Sequence, residues 1–304
     1  MKTSIVMSTY NGEKYIVDQL DSIRKQSRMP DEVLIFDDCS TDRTVNIVTN
    51  YIQDNNLKNW KIKVNTQNKG WRQNFMDGMW SSSGDVVFPC DQDDIWLPDK
   101  IAKMTKIMEE HSQVQLLASN YIEFFDDGKT DSGPWKSDHQ LYKLPLKKNY
   151  MSVDAPGCVY CVRRSLLDVS RKYWRKEFGH DTLLWRMAEL NNSLYAIKEP
   201  LIKWRKHNDS SYAKEVLLLK TQSEKKKWLA ASLKFNDLMY KYSKDYYLSD
   251  TKKVLGLNGR WLSLRNEFYQ TRNFIYGIKL IKYWSVYPRY RQLLGDWYLI
   301  LFKK

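Results

Sequence analysis

Apolar and polar residues alternate in short, regular blocks over the first two thirds of the chain. Four short blocks, at residues 4–8, 32–36, 61–64 and 85–90, are interpreted as strands, and the first, second and fourth of them are mostly apolar. Between these runs, apolar residues recur at every third or fourth position, which predicts amphipathic helices. Strands that alternate with helices predict an α/β fold with a mostly parallel central sheet and helices on both faces.

Polar clusters follow three of the predicted strands, at residues 9–11, 37–38 and 91–94. In an open parallel sheet, ligands bind outside the carboxyl ends of the strands. These three clusters are therefore the first candidates for a functional site, and we expect them to lie along one edge of the sheet.

The acidic cluster after the fourth strand carries the strongest chemical signal. Side chains two positions apart in an extended chain share a face, so Asp91 and Asp93 are expected to converge. Two convergent carboxylates suit a hard divalent cation that also takes oxygens from a substrate diphosphate. The alternative is a solvated acidic turn, in which Asp94 caps a helix that starts near Pro98. Four acidic or amide residues directly after an apolar strand favour the metal site.

The last third of the chain differs from the rest in charge. The 304 residues carry a net charge of +13, and residues 213–304 hold 19 Lys or Arg against 7 Asp or Glu. This third also holds 18 of the 42 aromatic residues, and its apolar residues have helical spacing. Basic residues mixed with Trp and Tyr favour a helical region on an anionic membrane surface. An ordinary helical subdomain is the alternative, and nucleic acid is disfavoured because no nucleic-acid motif is recognised.

The four cysteines are too few for a disulfide scaffold. Cys158 and Cys161 have no second pair with which to form a zinc site, and in an extended segment they point to opposite faces. We expect both to be buried, small apolar thiols. The apolar runs are far shorter than the ~20 residues of a membrane-spanning helix, and no signal peptide is recognised, which predicts a cytoplasmic protein.

Four motifs occur in order along the chain: TYNG at 9–12, DDCSTD at 37–42, NKG at 68–70 and DQDD at 91–94. As a set they resemble family 2 glycosyltransferases of the GT-A fold. The run DQDDIW is most similar to bacterial rhamnosyltransferase-like members that build surface polysaccharide. The resemblance implies a GT-A catalytic domain over residues 1–212, with a nucleotide-sugar half to about residue 95 and an acceptor half after it. The basic, aromatic-rich helical region then covers residues 213–304.

The resemblance also assigns roles to single residues. It implies a nucleotide-sugar site formed by Thr9, Tyr10, Asn11, Glu13, Asp38, Gly70, Arg72, Asn74, Asp91 and Gln92. It implies a site for Mn²⁺ or Mg²⁺ at Asp93, Asp91 and His207. Gly157, His180 and Arg205 fall on the acceptor or diphosphate side. Two departures from the family pattern are Cys39, where a small residue is commoner, and Gln73 in place of an arginine.

Asp181 matches the catalytic base of inverting members, and its position before an apolar helical run also suits a plain helix cap. The resemblance implies an inverting, metal-dependent transferase, and together with the basic, aromatic end of the chain it predicts a location on the inner face of a bacterial membrane. It would move rhamnose from dTDP-rhamnose to a lipid-linked glycan during capsule or cell-wall polysaccharide synthesis. The alternatives are a UDP-glucose, UDP-galactose or UDP-N-acetylglucosamine donor, a nucleotidyltransferase, and a scaffold that binds a nucleotide-sugar without turnover. A homodimer is left open.

Overall fold

The computed structural model describes residues 1–136, 140–207 and 221–302. The chain divides into two compact units, the first formed by residues 1–144 with 154–206 and the second by residues 145–153 with 207–304. The domain boundary that we predict between residues 212 and 213 lies outside the described residues. The assignment of domains therefore stays a prediction.

The described part of the first unit contains ten strands and six helices. The strands are β1 (Thr3–Thr9), β2 (Glu32–Asp37), β3 (Trp60–Val64), β4 (Val86–Asp91), β5 (Ile95–Trp96), β6 (Leu116–Phe125), β7 (Thr130–Ser132), β8 (Leu141–Lys143), β9 (Tyr160–Arg163) and β10 (Leu194–Lys206). The helices are α1 (Ile16–Arg24), α2 (Thr44–Asp54), α3 (Trp71–Ser81), α4 (Lys100–Glu110), α5 (Arg164–Tyr173) and α6 (His180–Leu190). The four strands and the intervening helices that the sequence predicts up to residue 91 are confirmed.

The strands form one mixed sheet in the order β3-β2-β1-β4-β9-β6-β10-β5, with β7 paired to β6 and β8 to β10. The pairs β3-β2, β2-β1, β1-β4 and β6-β10 are parallel, whereas β9 runs antiparallel to both its neighbours and β5 runs antiparallel to β10. The predicted α/β class is thus confirmed, and the sheet is fully parallel only over its first four strands. This parallel part aligns the carboxyl ends of β1, β2 and β4.

The centre of the sheet is part of the apolar core, since the residues Ile5, Val6 and Met7 of β1 are fully buried. Helix α3 crosses this sheet at Gly78, where an added Cβ atom would lie 2.6 Å from Cγ1 of Val6. Because residue 78 has no side chain, α3 packs more closely on β1 than it could with any other residue at this position.

The described part of the second unit contains the helices α7 (Gln222–Asp245), α8 (Lys252–Thr271), α9 (Phe274–Ile281) and α10 (Tyr290–Phe302). The predicted C-terminal helical region is confirmed. Each helix contributes to one apolar core, which includes Leu229, Trp261, Phe268, Leu280 and Ile300. Among the described residues, no helix has the length and apolar character needed to cross a membrane.

A buried ion pair joins two helices of the second unit. Nε and Nη2 of Arg265 on α8 each donate to a carboxylate oxygen of Asp296 on α10 at 2.8 Å. The hydroxyls of Tyr269 and Tyr287 donate to the same carboxylate at 2.9 and 2.8 Å. Both charged side chains are only 2% exposed. The carboxylate therefore receives four hydrogen bonds, which is the arrangement that a buried charge requires.

Candidate active site

The loops after β1 and β4 are joined by two amide hydrogen bonds. The backbone N–H of Tyr10 donates to Oε1 of Gln92 at 2.9 Å, and Nε2 of Gln92 donates to the carbonyl of Tyr10 at 3.1 Å. Gly12 lies against this pair, since an added Cβ atom would lie 2.3 Å from Oε1 of Gln92. On the same loop, Oε2 of Glu13 accepts from the backbone N–H and Nε of Arg43 at 3.1 and 3.0 Å. Gln92 therefore fixes the first motif against the acidic cluster.

Asp37 joins the loop after β2 to the end of β1. Its buried carboxylate accepts hydrogen bonds from Oγ1 of Thr9 at 2.8 Å and from Oγ of Ser40 at 2.6 Å. Asn11 has a left-handed backbone with φ of 48°, and its Oδ1 accepts from the N–H of Thr41 at 2.9 Å. The predicted site residues Thr9 and Asn11 thus hold the first two motifs together.

Asp38 holds the loop before α3. Its Oδ1 accepts from the N–H of Lys69 at 2.8 Å and from Nδ2 of Asn65 at 3.0 Å, and its Oδ2 accepts from the N–H of Gly70 at 2.8 Å. Gly70 has φ of 85°, a conformation in which a side chain is strained. The NKG motif is therefore explained as a loop that closes on one carboxylate, and the contact of Asp38 with a nucleotide base stays a prediction.

Asn74 and Arg72 lie on the first turns of α3. Asn74 is fully buried, and its Nδ2 donates to Oγ of Ser8 at 2.8 Å and to the carbonyl of Phe36 at 2.7 Å. The guanidinium of Arg72 lies 4.4 Å from the ring centroid of Trp71. Asn74 thereby fastens α3 to β1 and β2, while the nucleotide contacts of both residues stay predictions.

An acidic group lies at the carboxyl end of β4. Asp91, Asp94 and Cys158 each place one ligand atom within 4.8 Å of the others. Asp94 is fully buried, and its Oδ1 accepts from the backbone N–H of Arg205 at 3.0 Å. Its Oδ2 has no hydrogen-bond partner among the described residues. A buried carboxylate oxygen of this kind fits a cation ligand, because a cation would compensate for its desolvation.

This arrangement corrects one expectation and changes the emphasis of another. Asp94 is not a helix cap, because α4 begins at Lys100 and Asp99 is its N-cap residue. The group of three potential ligands in the described chain contains Asp91 and Asp94 and does not contain Asp93. Asp93 is half-buried, and its predicted role as a metal ligand stays a prediction.

The electrostatics of the group also fit a cation. Burial, with the neighbouring Asp93 and then Asp181, raises the pKa of Asp91 to about 7. Burial raises the pKa of Asp94 well above its ordinary value, with Asp93 and Asp91 adding to the effect. Close carboxylates of this kind repel each other when ionised, and a divalent cation relieves the repulsion. The residues present are therefore suitable for Mn²⁺ or Mg²⁺, which prefer carboxylate oxygens.

Lys100 lies buried beneath the acidic group. Its Nζ donates to the carbonyl of Cys158 at 2.5 Å, and burial lowers its pKa to about 8. The ammonium also lies 4.1 Å from the ring centroid of Trp96. Lys100 therefore fixes the backbone that carries the Cys158 thiol.

Arg205 supports the acidic loop from the side. Its Nε donates to the backbone carbonyl of Asp93 at 2.7 Å, and Nη2 donates to Asp18 at 3.2 Å. The guanidinium lies 4.3 Å from the ring centroid of Tyr15 and 4.4 Å from that of Phe124. The structure thus gives Arg205 a positioning role, and its predicted contact with a diphosphate stays a prediction.

Asp181 lies in the first turn of α6, as the sequence predicts. Its Oδ1 accepts from the N–H of Thr182 at 2.6 Å, and its charge contributes to the raised pKa of Asp91. The preceding His180 is 4% exposed, and its ring centroid lies 4.2 Å from that of Phe75. Burial lowers the pKa of His180. At Gly157 an added Cβ atom would lie 2.3 Å from Nε2 of His180, so this glycine allows the ring to pack closely.

The structure also bears on the expectations for the two neighbouring cysteines and for His207. Cys158 lies in a short 3₁₀ turn, Gly157–Val159, and only Cys161 lies in a strand, so the expected extended segment is wrong at its first cysteine. Both thiols are buried, as expected. His207 directly follows β10, is half-buried and belongs to the second unit, and its role as a metal ligand stays a prediction.

Sequence reasoning missed Asp94, Cys158 and Lys100 as members of the acidic centre. Asp94 belongs to the DQDD motif, and the sequence leaves a helix cap open as the alternative role for it. The sequence offers no signal that could bring the backbone of Cys158 to Lys100, which lies 58 residues earlier in the chain.

Comparison with known proteins agrees with this geometry. The family model "Glycosyl transferase family 2" matches residues 4–191. The dTDP-rhamnosyl transferase RfbG of Shigella flexneri is 26% identical over 216 residues, which cover 67% of this chain and 72% of RfbG. The poly(ribitol-phosphate) beta-N-acetylglucosaminyltransferase TarS of Staphylococcus aureus (strain Mu50 / ATCC 700699) is 34% identical over 119 residues. That match covers 38% of this chain and only 20% of TarS.

Solved structures share the fold. The crystal structure of S. aureus TarS 1-349 in complex with UDP-GlcNAc aligns with a TM-score of 0.63 at 21% identity, covering 99% of this chain and 82% of that chain. GalNAc-T7 with UDP, GalNAc and Mn²⁺ aligns with a TM-score of 0.54 at 13% identity, covering 71% of this chain and 47% of that chain. The extent of the family match shows that the chain belongs to glycosyl transferase family 2.

Proposed function

We propose that the protein transfers a sugar from a nucleotide diphosphate donor to an acceptor hydroxyl, with inversion at the sugar carbon. One observation carries the proposal. The carboxylates of Asp91 and Asp94 lie together at the carboxyl end of β4, and Asp181 is close enough to raise the pKa of Asp91. The first two carboxylates suit a cation on a diphosphate, and the third suits a general base.

In this reaction Asp181 accepts the proton of the acceptor hydroxyl while the oxygen attacks the sugar carbon. The bond between that carbon and the diphosphate oxygen breaks, and the nucleoside diphosphate leaves as an anion. Mn²⁺ or Mg²⁺, when bound by Asp91 and Asp94, supplies positive charge that stabilises the leaving anion. The loops held by Asp38 and Gln92 position the donor, because they place the first three motifs around the same strand ends.

We propose dTDP-rhamnose as the donor and a lipid-linked saccharide of cell-surface polysaccharide synthesis as the acceptor. Support comes from the match to RfbG, which extends over 67% of this chain. A UDP-hexose, in particular UDP-N-acetylglucosamine, is the second candidate because of the similarity to TarS, although the sequence match covers only 38% of this chain.

The test is release of nucleoside diphosphate by the purified full chain, measured for each donor with Mn²⁺, with Mg²⁺ and with EDTA. Product analysis separates this reaction from nucleotidyl transfer, which yields pyrophosphate. We expect transfer only with a cation. Substitution Asp181→Asn should lower kcat by about 100- to 10,000-fold, with little change in the KM for the donor. Asp91→Asn and Asp94→Asn should raise the cation concentration needed for half-maximal rate.

Asp54→Asn is the matched control, because Asp54 is exposed at the end of α2, and its rate should equal that of the wild type. Unchanged turnover in Asp181→Asn would show that the assigned base is wrong. Donor binding without transfer to any acceptor would favour a scaffold that binds a nucleotide-sugar.

A further inference from the structure

Helix α9 exposes an apolar stripe. Phe274, Ile275, Ile278 and Ile281 are between 51% and 60% exposed. Their spacing places them on one side of the helix, whereas Leu280 on the opposite side is fully buried. The most apolar side chains of α9 are thus divided between the core and the surface, which is unusual for a helix of a water-soluble unit.

Helix α10 exposes a second stripe. Tyr290, Leu294, Tyr298 and Leu301 are between 48% and 64% exposed, at a spacing of three or four residues. Ile300 lies on the inner side, where it is buried in the apolar core. The exposed side of α10 is therefore apolar and aromatic along the length of the helix.

The two stripes adjoin each other. The ring of Phe274 stacks on that of Trp297, with centroids 5.7 Å apart. At Gly277 an added Cβ atom would lie 2.4 Å from Cζ2 of Trp297, so the glycine brings the two helices into close contact. Between the helices, Trp284 is 63% exposed in the 3₁₀ turn Trp284–Val286. We call this continuous surface of α9, the turn and α10 the apolar face.

The exposed charges of the segment that forms the apolar face have one sign. Residues 272–302 contain a single acidic residue, Asp296, and its carboxylate is buried against Arg265. The same segment contains five basic residues, all of which are exposed: Arg272, Lys279, Lys282, Arg289 and Arg291. The segment that forms the apolar face thus exposes five cations and no carboxylate among its described residues.

We propose that the apolar face docks on an anionic lipid bilayer, with the Ile and Leu side chains at the acyl boundary and the basic residues among the headgroups. Charge complementarity favours a bilayer over other partners, because each basic residue near an anionic membrane strengthens the binding. Tyr and Trp rings favour the same boundary. A second copy of this chain would bring ten cations together across a symmetric contact, which opposes association. The proposal rests on the second unit alone and does not depend on the proposed activity.

The test is co-sedimentation of the full chain with vesicles of phosphatidylcholine alone, or of phosphatidylcholine and phosphatidylglycerol in equal amounts. We expect binding to the anionic vesicles that weakens with added salt, and weak binding to the neutral ones. Ile278→Ser with Ile281→Ser should weaken binding by about tenfold, because two half-exposed side chains lose contact with the acyl region. Lys279→Gln with Lys282→Gln should weaken it by about 30-fold, since each cation contributes about fivefold.

Matched controls come from the same unit. Tyr247→Ser removes a side chain that is 92% exposed between α7 and α8, and Lys241→Gln with Lys244→Gln removes two exposed cations of α7. Both controls should bind like the wild type, and all variants should show the wild-type circular dichroism spectrum. Equal binding to both kinds of vesicle would overturn the proposal. It would also be overturned if the isoleucine variant bound normally, or if light scattering showed a dimer that this variant splits while the wild type ignores lipid.

Discussion

The buried pair of Arg265 and Asp296 gives the sharpest prediction for stability. Substitution Asp296→Asn keeps the shape of the side chain and one oxygen acceptor but removes the negative charge. The guanidinium of Arg265, which is 2% exposed, would then lack its counter-ion. The rings of Trp261 and Tyr287, whose centroids lie 4.7 and 4.9 Å from the guanidinium, would replace only part of the lost attraction to the carboxylate.

The expected loss in the free energy of unfolding is about 3–5 kcal/mol, the usual cost of leaving one member of a buried pair without its partner. This is a large share of the ~5–15 kcal/mol that stabilises a typical domain. The double substitution Arg265→Met with Asp296→Leu should cost less than the single one, because it leaves no buried charge. Two tyrosine hydroxyls would still lose their acceptor in that variant.

The assay is urea unfolding of the full chain, followed by circular dichroism and tryptophan fluorescence. Each transition is fitted by itself, because the chain has two compact units. Lys227→Gln is the control. It breaks the ion pair between Glu224 and Lys227, a lysine that is 71% exposed, and should lower the free energy of unfolding by less than about 0.5 kcal/mol. If Asp296→Asn cost no more than this control, or if the double variant were the least stable of all, the reasoning would be refuted.

Three further predictions concern the first unit. Asn74→Ala should lower the free energy of unfolding by about 2–4 kcal/mol, measured in urea, because the carbonyl of Phe36 loses the Asn74 amide and the amide of Asn65 keeps only Asp38; an equal stability to wild type would contradict this. His180→Phe should remove a sensitivity of the stability to acid. Burial lowers the pKa of His180, so at low pH the unfolded state binds a proton that the folded state does not bind. The free energy of unfolding of the wild type therefore falls as the pH drops below about 6.5. The difference in Tm between the two proteins, measured from pH 8 to pH 5, should therefore grow in favour of the variant, and parallel curves would exclude the effect. Gly157→Ala should lower kcat more than it changes the donor KM, since its methyl group pushes the His180 ring that precedes Asp181; a change in KM alone would count against this.

Local patterns were sufficient to predict the parallel part of the sheet. Strands β1, β2 and β4 are mostly apolar runs with a polar cluster after each, so the sequence identifies both the strand and the edge where ligands bind. The position of Asp181 in the first turn of α6 was predictable for the same reason, since an apolar helical run follows it directly.

The remainder depends on contacts between distant parts of the chain. Strand β9 enters the sheet between β4 and β6 in the antiparallel direction, and its short run of four residues does not encode that choice. Pro98 makes a helix cap the alternative role for Asp94, whereas its actual partner, the N–H of Arg205, lies 111 residues away in sequence. Spacing along the chain could not show that Cys158 approaches Asp91 and Asp94, because that depends on where β9, which begins shortly after Cys158, is inserted in the sheet.

The paired amide hydrogen bonds between Gln92 and Tyr10 have a mechanical consequence. They join two segments that the proposal places against different parts of the donor, since Tyr10 belongs to the first motif and Gln92 separates Asp91 from Asp93. A displacement of either segment therefore moves the other. We therefore expect binding of the proposed nucleotide and of the proposed cation to be linked, so that each should change the affinity for the other by the same factor.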